Sequence, residues 1–308
     1  MAQQIQLSDR DLRALIEVGE LGLASTDMIH RRHYEPGESG LKYCQRRLRA
    51  FVEMGWIESH SFTLQENSGG KRRPRKLPSV HRLTLDGAKM IEATTGKIPK
   101  RPARSDPPSP QNILHRLGVV RTRLAISDAF AAAQLLKPAW IMERDQYPDA
   151  PPDAPFHKRF ILYEAYGHGN ERVTCRPDAS AWLRLPGDPP WNLILYLEYD
   201  RSTETHAQIL VTKVPGYATL LHPTNRFYRQ HWPDIVPLGR DFSRVAFVCQ
   251  SEERIANLSH AMQGLPGAEN VRFITDAELD HAELLTAPLW RTTNGDRKAM
   301  IHPSPSLE

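Results

Sequence analysis

The chain has 308 residues, 40% of them hydrophobic and 25% charged, with a formal net charge of +4. That composition fits a soluble globular protein of about two domains and argues against a wholly disordered chain. No stretch approaches the roughly 18 uninterrupted apolar residues of a membrane span, so no membrane partner is expected.

The start, MAQQIQLSDRDL, lacks the basic residues and apolar block of a secretory signal. Cys44, Cys175 and Cys249 are isolated thiols without a CxxC pair. A disulfide framework and a cysteine zinc site are therefore not expected, and a reducing cytoplasm is the expected location.

Ser8 is placed to N-cap a helix from Asp9 to about Val18, with Asp9 and Asp11 in its first turn. Gly19 and Gly22 end it. Thr26 is placed to cap a second, short helix reaching Tyr34. A third helix is expected from Leu41 to Met54, with Leu41, Cys44, Leu48, Phe51 and Val52 as its apolar stripe. At about 100° per residue, Lys42, Arg46 and Arg49 cluster on another face. Together with Arg47 they are the expected cationic set of this helix. Trp56 to Leu64 reads as a strand. Residues 65–77 read as a loop carrying Lys71, Arg72, Arg73, Arg75 and Lys76. Val80 to Thr84 reads as the returning strand, and Asp86 to Thr95 as a closing helix. His30 and His33 are three apart on a helix, but no third metal ligand accompanies them.

Helix, helix, basic helix, strand, basic loop and strand is the order of a winged helix-turn-helix. Val80-His-Arg-Leu-Thr-Leu-Asp-Gly-Ala88 resembles the strand-to-helix ending of such domains. The resemblance implies that the helix at 41–54 enters the major groove of double-stranded DNA, with the basic loop along the backbone. Cations on phosphates give affinity without sequence information. A protein-docking module is the alternative.

Residues 96–111 hold Pro99, Pro102, Pro107, Pro108 and Pro110 and read as a semi-rigid basic linker between a domain at 1–95 and one at 112–290. The charge divides with them. Residues 1–110 hold 19 Lys and Arg against 13 Asp and Glu, and the remainder is slightly acidic. A polyanion-binding module joined to a near-neutral body is the simplest account.

In the second domain, Asn112 begins a long helix to about Leu136, with His115 as its most notable polar residue. Phe160–Tyr163, Arg172–Leu185 and Trp191–Tyr199 read as strands, with Pro186-Gly-Asp-Pro-Pro190 as the turn before the last. Trp191–Tyr199 is nearly all apolar and therefore central. A helix from about Thr203, a strand at 245–248, a helix at 252–262, a strand at 271–274 and a last helix from Asp276 follow. Residues 291–308 are left as a tail. The order is that of an α/β domain, three-layer, with a mixed sheet.

Chemistry concentrates in Arg176-Pro-Asp178 and Leu197-Glu-Tyr-Asp-Arg201. A hairpin turning near residue 188 pairs positions whose numbers sum to about 376, which sets Asp178 opposite Glu198. Asp200 shares the face of Glu198. Three carboxylates against an apolar strand repel one another, and Mg²⁺ or Mn²⁺ relieves that repulsion. The plainer reading makes Glu198 and Asp200 cap the next helix and pair with Arg201. Tyr196 and Tyr199 read as core or rim aromatics.

Pro177-Asp178, about twenty residues, then Glu198-x-Asp200 resembles the PD-(D/E)xK nuclease superfamily, whose restriction-endonuclease-like fold has this element order. The usual lysine position holds Asp200. Some members carry the lysine on the following helix, and Lys213 is the candidate there, just before Pro215, which is expected to break or kink that helix. Taken over residues 8–275, the chain resembles the replication-relaxation family of plasmids and integrative elements, related to a class of conjugative relaxases. That resemblance implies Asp178, Glu198 and Asp200 as metal ligands, Lys213 as a catalytic partner, and other plasmid-processing proteins as partners. Two functions stay open: a divalent-metal DNA endonuclease or nickase, and a non-catalytic DNA-binding protein on a degenerate nuclease scaffold. A dimeric restriction enzyme is a third.

Overall fold

The computed structural model describes residues 7–68, 71–97, 99, 109–151, 153–166, 173–187, 190–201, 209, 213–221, 231–233, 235 and 242–301; side chains at 65–68, 71–73 and 166 lie outside that description. The chain divides into two compact units, 1–120 and 121–308.

The first unit opens with α1 (Asp9–Leu21). Ser8 and Asp11 cap it reciprocally, each side chain taking the other's backbone N–H. Gly22 closes it in the left-handed conformation, φ 69°. After the two-residue strand β1 (Ala24–Ser25) comes α2 (Thr26–His33), capped by Ser25 rather than Thr26. The third helix, α3 (Glu38–Glu53), starts one turn earlier than the apolar stripe suggests. Its Gly40 is seated so close to Glu35 that a Cβ would lie 1.8 Å from that carbonyl oxygen.

The expected strand after α3 is two strands, β2 (Ile57–His60) and β3 (Thr63–Ser68). The expected basic loop is largely strand: β4 (Lys71–Lys76) pairs antiparallel with β3 from Thr63–Lys76 to Ser68–Lys71. Backbone pairing overrides the turn composition there. β5 (Val80–Leu83) pairs with both β1 and β2, and α4 (Leu85–Thr95) follows, capped by Thr84. Leu23, Val80, Ile113 and Leu117 pack together in this unit.

The long helix, α5 (Pro110–Ala132), begins at Pro110 rather than Asn112, with the Ser109 hydroxyl accepting the Asn112 N–H. A proline suits the first helical position because its missing N–H has no partner there. The break between units falls inside this helix, later than proline content predicts.

The second unit is built on a seven-stranded mixed sheet. In chain order its elements are β6 (Ala139–Met142), α6 (Phe156–Arg159), β7 (Glu164–Tyr166), β8 (Val173–Cys175), β9 (Ala179–Leu185), β10 (Trp191–Asp200), α7 (Val214–Leu220), β11 (Phe242–Cys249), α8 (Glu252–Met262), β12 (Val271–Thr275), β13 (Trp290–Arg291) and β14 (Arg297–Lys298). The sheet order is β14-β13-β12-β11-β10-β9-β6. β10, β11 and β12 run parallel and the remaining pairs antiparallel. As its apolar run predicts, β10 is central, with Leu193 to Leu197 almost wholly buried.

Four expectations change here. Phe160–Tyr163 is not a strand; Phe160 makes one bridge to Gln146 after the short α6. The run 172–185 is two strands, because Pro177 interrupts it: β8 pairs with β7 outside the main sheet, and β9 enters it. After Asp276 there is only a 3-10 turn to Asp280. The tail expected from 291 is part of the fold through β13 and β14. The helix expected from Thr203 falls on residues outside the described set. Among the described residues no helix is long and apolar enough to cross a membrane.

The C-terminal strands are tied down by charge. Glu278 accepts from Arg291 at 2.8 Å and from the Thr275 N–H and hydroxyl at 3.0 and 2.8 Å. Burial opposes its ionisation, yet these donors hold its carboxyl down at about 2. A carboxyl depressed on folding stabilises the protein above its unfolded value near 4.5 and loses that contribution as pH falls toward about 2. The acid limb of unfolding is therefore expected to flatten in Glu278→Gln over that window. Urea titrations at stepped pH check this, and an unchanged limb assigns the acid sensitivity elsewhere.

Candidate active site

In the β9–β10 ladder paired numbers do sum to 376, from Trp191–Leu185 to Leu197–Ala179. One step further the ladder changes. Asp178 donates its N–H to Leu197 O at 2.9 Å, and its carboxylate accepts the Tyr199 N–H at 2.8 Å. Asp178 thus stands in for a backbone acceptor just beyond Pro177, and it is buried. On the other side, Glu143 N–H donates to Asp178 O at 2.9 Å.

Glu198 lies on the same face of β10 as Tyr196 and is only 2% exposed. Two groups from the α7 region meet it. Lys213 Nζ contacts Oε2 at 2.8 Å, and the Tyr217 hydroxyl donates a short hydrogen bond to Oε1. Pro215 does not disturb this arrangement, since it occupies the first turn of α7, where no intrahelical N–H is needed. Gly216 lets α7 approach β8 closely; a Cβ there would lie 2.8 Å from Thr174 O. Val214, Tyr217 and Leu220 pack into the core with Tyr196 and Phe247, which fixes where Lys213 and Tyr217 emerge.

The site is electrostatically tense. Burial pushes the Glu198 carboxyl up to about 7; Lys213 pulls it back, and the nearby Asp178 carboxylate pushes it further up. Burial and then Glu198 drive the Tyr217 phenol well above its ordinary value, and the Cys175 thiol rises for the same two causes. Both stay protonated at neutral pH.

Asp178, Glu198 and Lys213 are therefore brought together. Asp200 is not part of that group. Its carboxylate is gripped by Arg254 of α8, Nε–Oδ2 at 2.5 Å and Nη2–Oδ1 at 3.2 Å. Neither the third-ligand reading of Asp200 nor its pairing with Arg201 anticipates this, because Arg254 is 54 residues away in sequence. Among the described residues no three His, Cys, Asp or Glu converge as a metal cage. The remaining oxygen pair still suits a hard cation, since Mg²⁺ is commonly held by one or two carboxylates with water and substrate phosphate completing its shell.

Residues that sequence reasoning passed over also sit nearby. Besides Tyr217, a buried chain joins Glu164 Oε1 to His231 Nε2 at 2.7 Å and His231 Nδ1 to the Tyr196 hydroxyl at 3.3 Å. No local pattern links these three positions. Tyr199 is a rim residue, its hydroxyl donating to Asp276.

In the first unit, Lys42, Arg46 and Arg49 of α3 are exposed, as their helical angle predicts. Lys42 pairs with Glu38 one turn back, and the Arg46 guanidinium stands 4.9 Å over the exposed Tyr43 ring. Arg47 is different. It turns inward to Asp11, Nη2–Oδ2 at 2.7 Å and Nε–Oδ1 at 3.0 Å, and packs over Phe51. Arg75 and Lys76 are exposed on β4. The side chains of Lys71, Arg72 and Arg73 lie outside the described residues. His30 bonds Glu35 O and His33 bonds Glu17, so neither is arranged as a metal ligand. All three cysteines are buried and unbridged.

No curated protein matches the chain. A solved structure, that of the restriction endonuclease FokI bound to DNA, resembles it with a TM-score of 0.22 at 11% identity, over 91% of this chain and 63% of that one. A score that low carries no weight for fold or function. The chain thus spans about 63% of that protein's length. The family model described as Replication-relaxation, by contrast, matches residues 15–232, a stretch that takes in α3, both halves of the carboxylate pair and Lys213; the chain belongs to the replication-relaxation family.

Proposed function

We propose that this chain is a DNA-binding protein of plasmid or mobile-element replication or mobilisation that nicks DNA with a divalent cation. In this reading the first unit is a winged helix-turn-helix for double-stranded DNA and the second a restriction-endonuclease-like domain. The observation that carries it is the meeting of Asp178, Glu198 and Lys213 at the edge of the central strands, where a buried carboxylate is pushed up to about 7.

Asp178 and Glu198 are the pair that would hold Mg²⁺ or Mn²⁺. When bound, that ion supplies Lewis acidity at a phosphodiester. The chain's own groups prepare the place for it. The Tyr199 N–H orients Asp178, and the Tyr217 hydroxyl orients Glu198. Lys213 adds positive charge where negative charge accumulates on the phosphate, or removes a proton.

One observation favours a non-catalytic DNA binder instead: both oxygens of Glu198 already have protein partners, and Asp200 is committed to Arg254. Incubating the chain with supercoiled plasmid and Mg²⁺ or Mn²⁺ separates the two. Open-circle product supports the nickase; shifted but uncut plasmid supports the binder.

The DNA face has its own test. Lys42→Ala with Arg46→Ala is expected to weaken duplex binding and to lower the slope of log affinity against log salt by about 2, one per lost phosphate contact. Both side chains are exposed, so the fold survives. A titration at several salt concentrations reads the slope, and an unchanged slope moves the contact off α3.

A further inference from the structure

We infer that the surface around Phe156, beside the carboxylate pair, is a stacking platform for an unpaired nucleobase, so that the second unit engages single-stranded DNA. This rests on the reading of the chain as one that acts on DNA, and it specifies the form of DNA at the site.

Phe156 is 52% exposed, unusual for a phenylalanine. It does not stand alone. Its ring stacks on Phe160 at 5.3 Å and lies 6.0 Å from the Tyr163 ring. Two guanidiniums flank the pair: Arg159 lies 5.6 Å from the Phe156 ring centre and 4.6 Å from Phe160, and Arg176 lies 5.9 and 5.8 Å from the same rings. His157 and Lys158, also exposed, complete a run of cationic or ionisable neighbours on α6.

Arg176 ties the platform to the site. It is two residues before Asp178, and its Nη2 holds Glu143 Oε1 at 2.9 Å, while the Glu143 N–H bonds Asp178 O. Arg176 thus spans from the Phe156 ring to the segment that leads into β9.

The chemistry selects the occupant. A half-exposed aromatic ring with two guanidiniums within 6 Å of its centre offers stacking to a flat ring and charge to the phosphate attached to it. Inside a duplex the base faces are already stacked on one another, so only an unpaired base can use the ring. Stacking tolerates any base, so no sequence preference is expected from this surface.

The test uses the full chain in EDTA, so that cutting plays no part, with a 12-nucleotide single strand carrying 2-aminopurine and a duplex of the same sequence. The wild-type chain is expected to bind the strand with quenching of 2-aminopurine. Phe156→Ala is expected to lose about tenfold or more in single-strand affinity, together with the quenching, and to keep its duplex affinity. Phe156→Trp is expected to retain binding, which separates loss of the ring from loss of the fold. Unchanged affinity and quenching in Phe156→Ala, or a folded Phe156→Trp that does not bind, overturns the inference. So does a wild-type chain without affinity for single strands, a result that would leave the patch as a protein-docking surface. Because no cleavage is read, an inactive but stacking protein defeats the nickase and not the platform.

Discussion

Asp178→Ala and Glu198→Ala are each expected to reduce plasmid nicking by at least about a hundredfold while leaving duplex binding intact. The size follows from what a bound divalent ion contributes, several kcal/mol of charge stabilisation at the transition state, with each 1.36 kcal/mol worth tenfold in rate. The two residues fail for different reasons. Asp178 is fixed by the Tyr199 N–H, so alanine removes a ligand and leaves a backbone N–H to find water. Glu198 is a buried acid shared by Lys213 and Tyr217. Its loss frees Lys213, whose side chain is 30% exposed and can hydrate, but takes the acceptor from the buried Tyr217 hydroxyl, so the alanine variant also loses stability. Glu198→Gln keeps the shape and removes the charge. It is expected to be as inactive as the alanine variant. Nicking that survives both Asp178→Ala and Glu198→Gln at full rate would place the chemistry elsewhere or in a contaminant.

Arg47→Ala is expected to destabilise the first unit by about 3 kcal/mol, the range found when one partner of a buried ion pair is removed. Asp11 is 1% exposed and would be left charged in an apolar setting. Burial opposes its ionisation, and Arg47 with Ser8 holds its carboxyl below the ordinary range. Without Arg47, Ser8 and the Tyr34 hydroxyl at 3.4 Å are the donors to it that remain among the described residues. A fall in Tm on the order of 10 °C is the expected readout for a unit of this size. Replacing both residues, Asp11→Leu with Arg47→Met, is expected to recover much of the loss, because no stranded charge remains. A phosphate contact would behave in the opposite way: stability would hold, and the salt slope of DNA binding would drop. That second outcome would return Arg47 to the DNA face.

These two residues, Arg47 and Asp200, mark where sequence reasoning reaches its limit. Both carry the right charge at the right local spacing for a ligand-binding role. Each is claimed by a partner far along the chain, Asp11 at 36 residues and Arg254 at 54. Helical angle and strand alternation place a side chain on a face. They do not say which opposite charge the fold brings to that face.

Local chemistry did settle a good deal without tertiary help. The caps at Ser8 and Gly22, the angular separation of Lys42, Arg46 and Arg49 from the apolar stripe of α3, and the apolar run of β10 all follow from interactions spanning a few residues. The β9–β10 register was legible too, because a short turn leaves little freedom in which residues can pair. Strand content near prolines and in the basic hairpin was not legible, since pairing with a neighbouring strand outweighs local propensity. The same holds for the grip of Lys213 and Tyr217 on Glu198. It depends on α7 packing flat against β8 and the central strands, and that approach is decided by core packing between segments, not by any spacing within one of them.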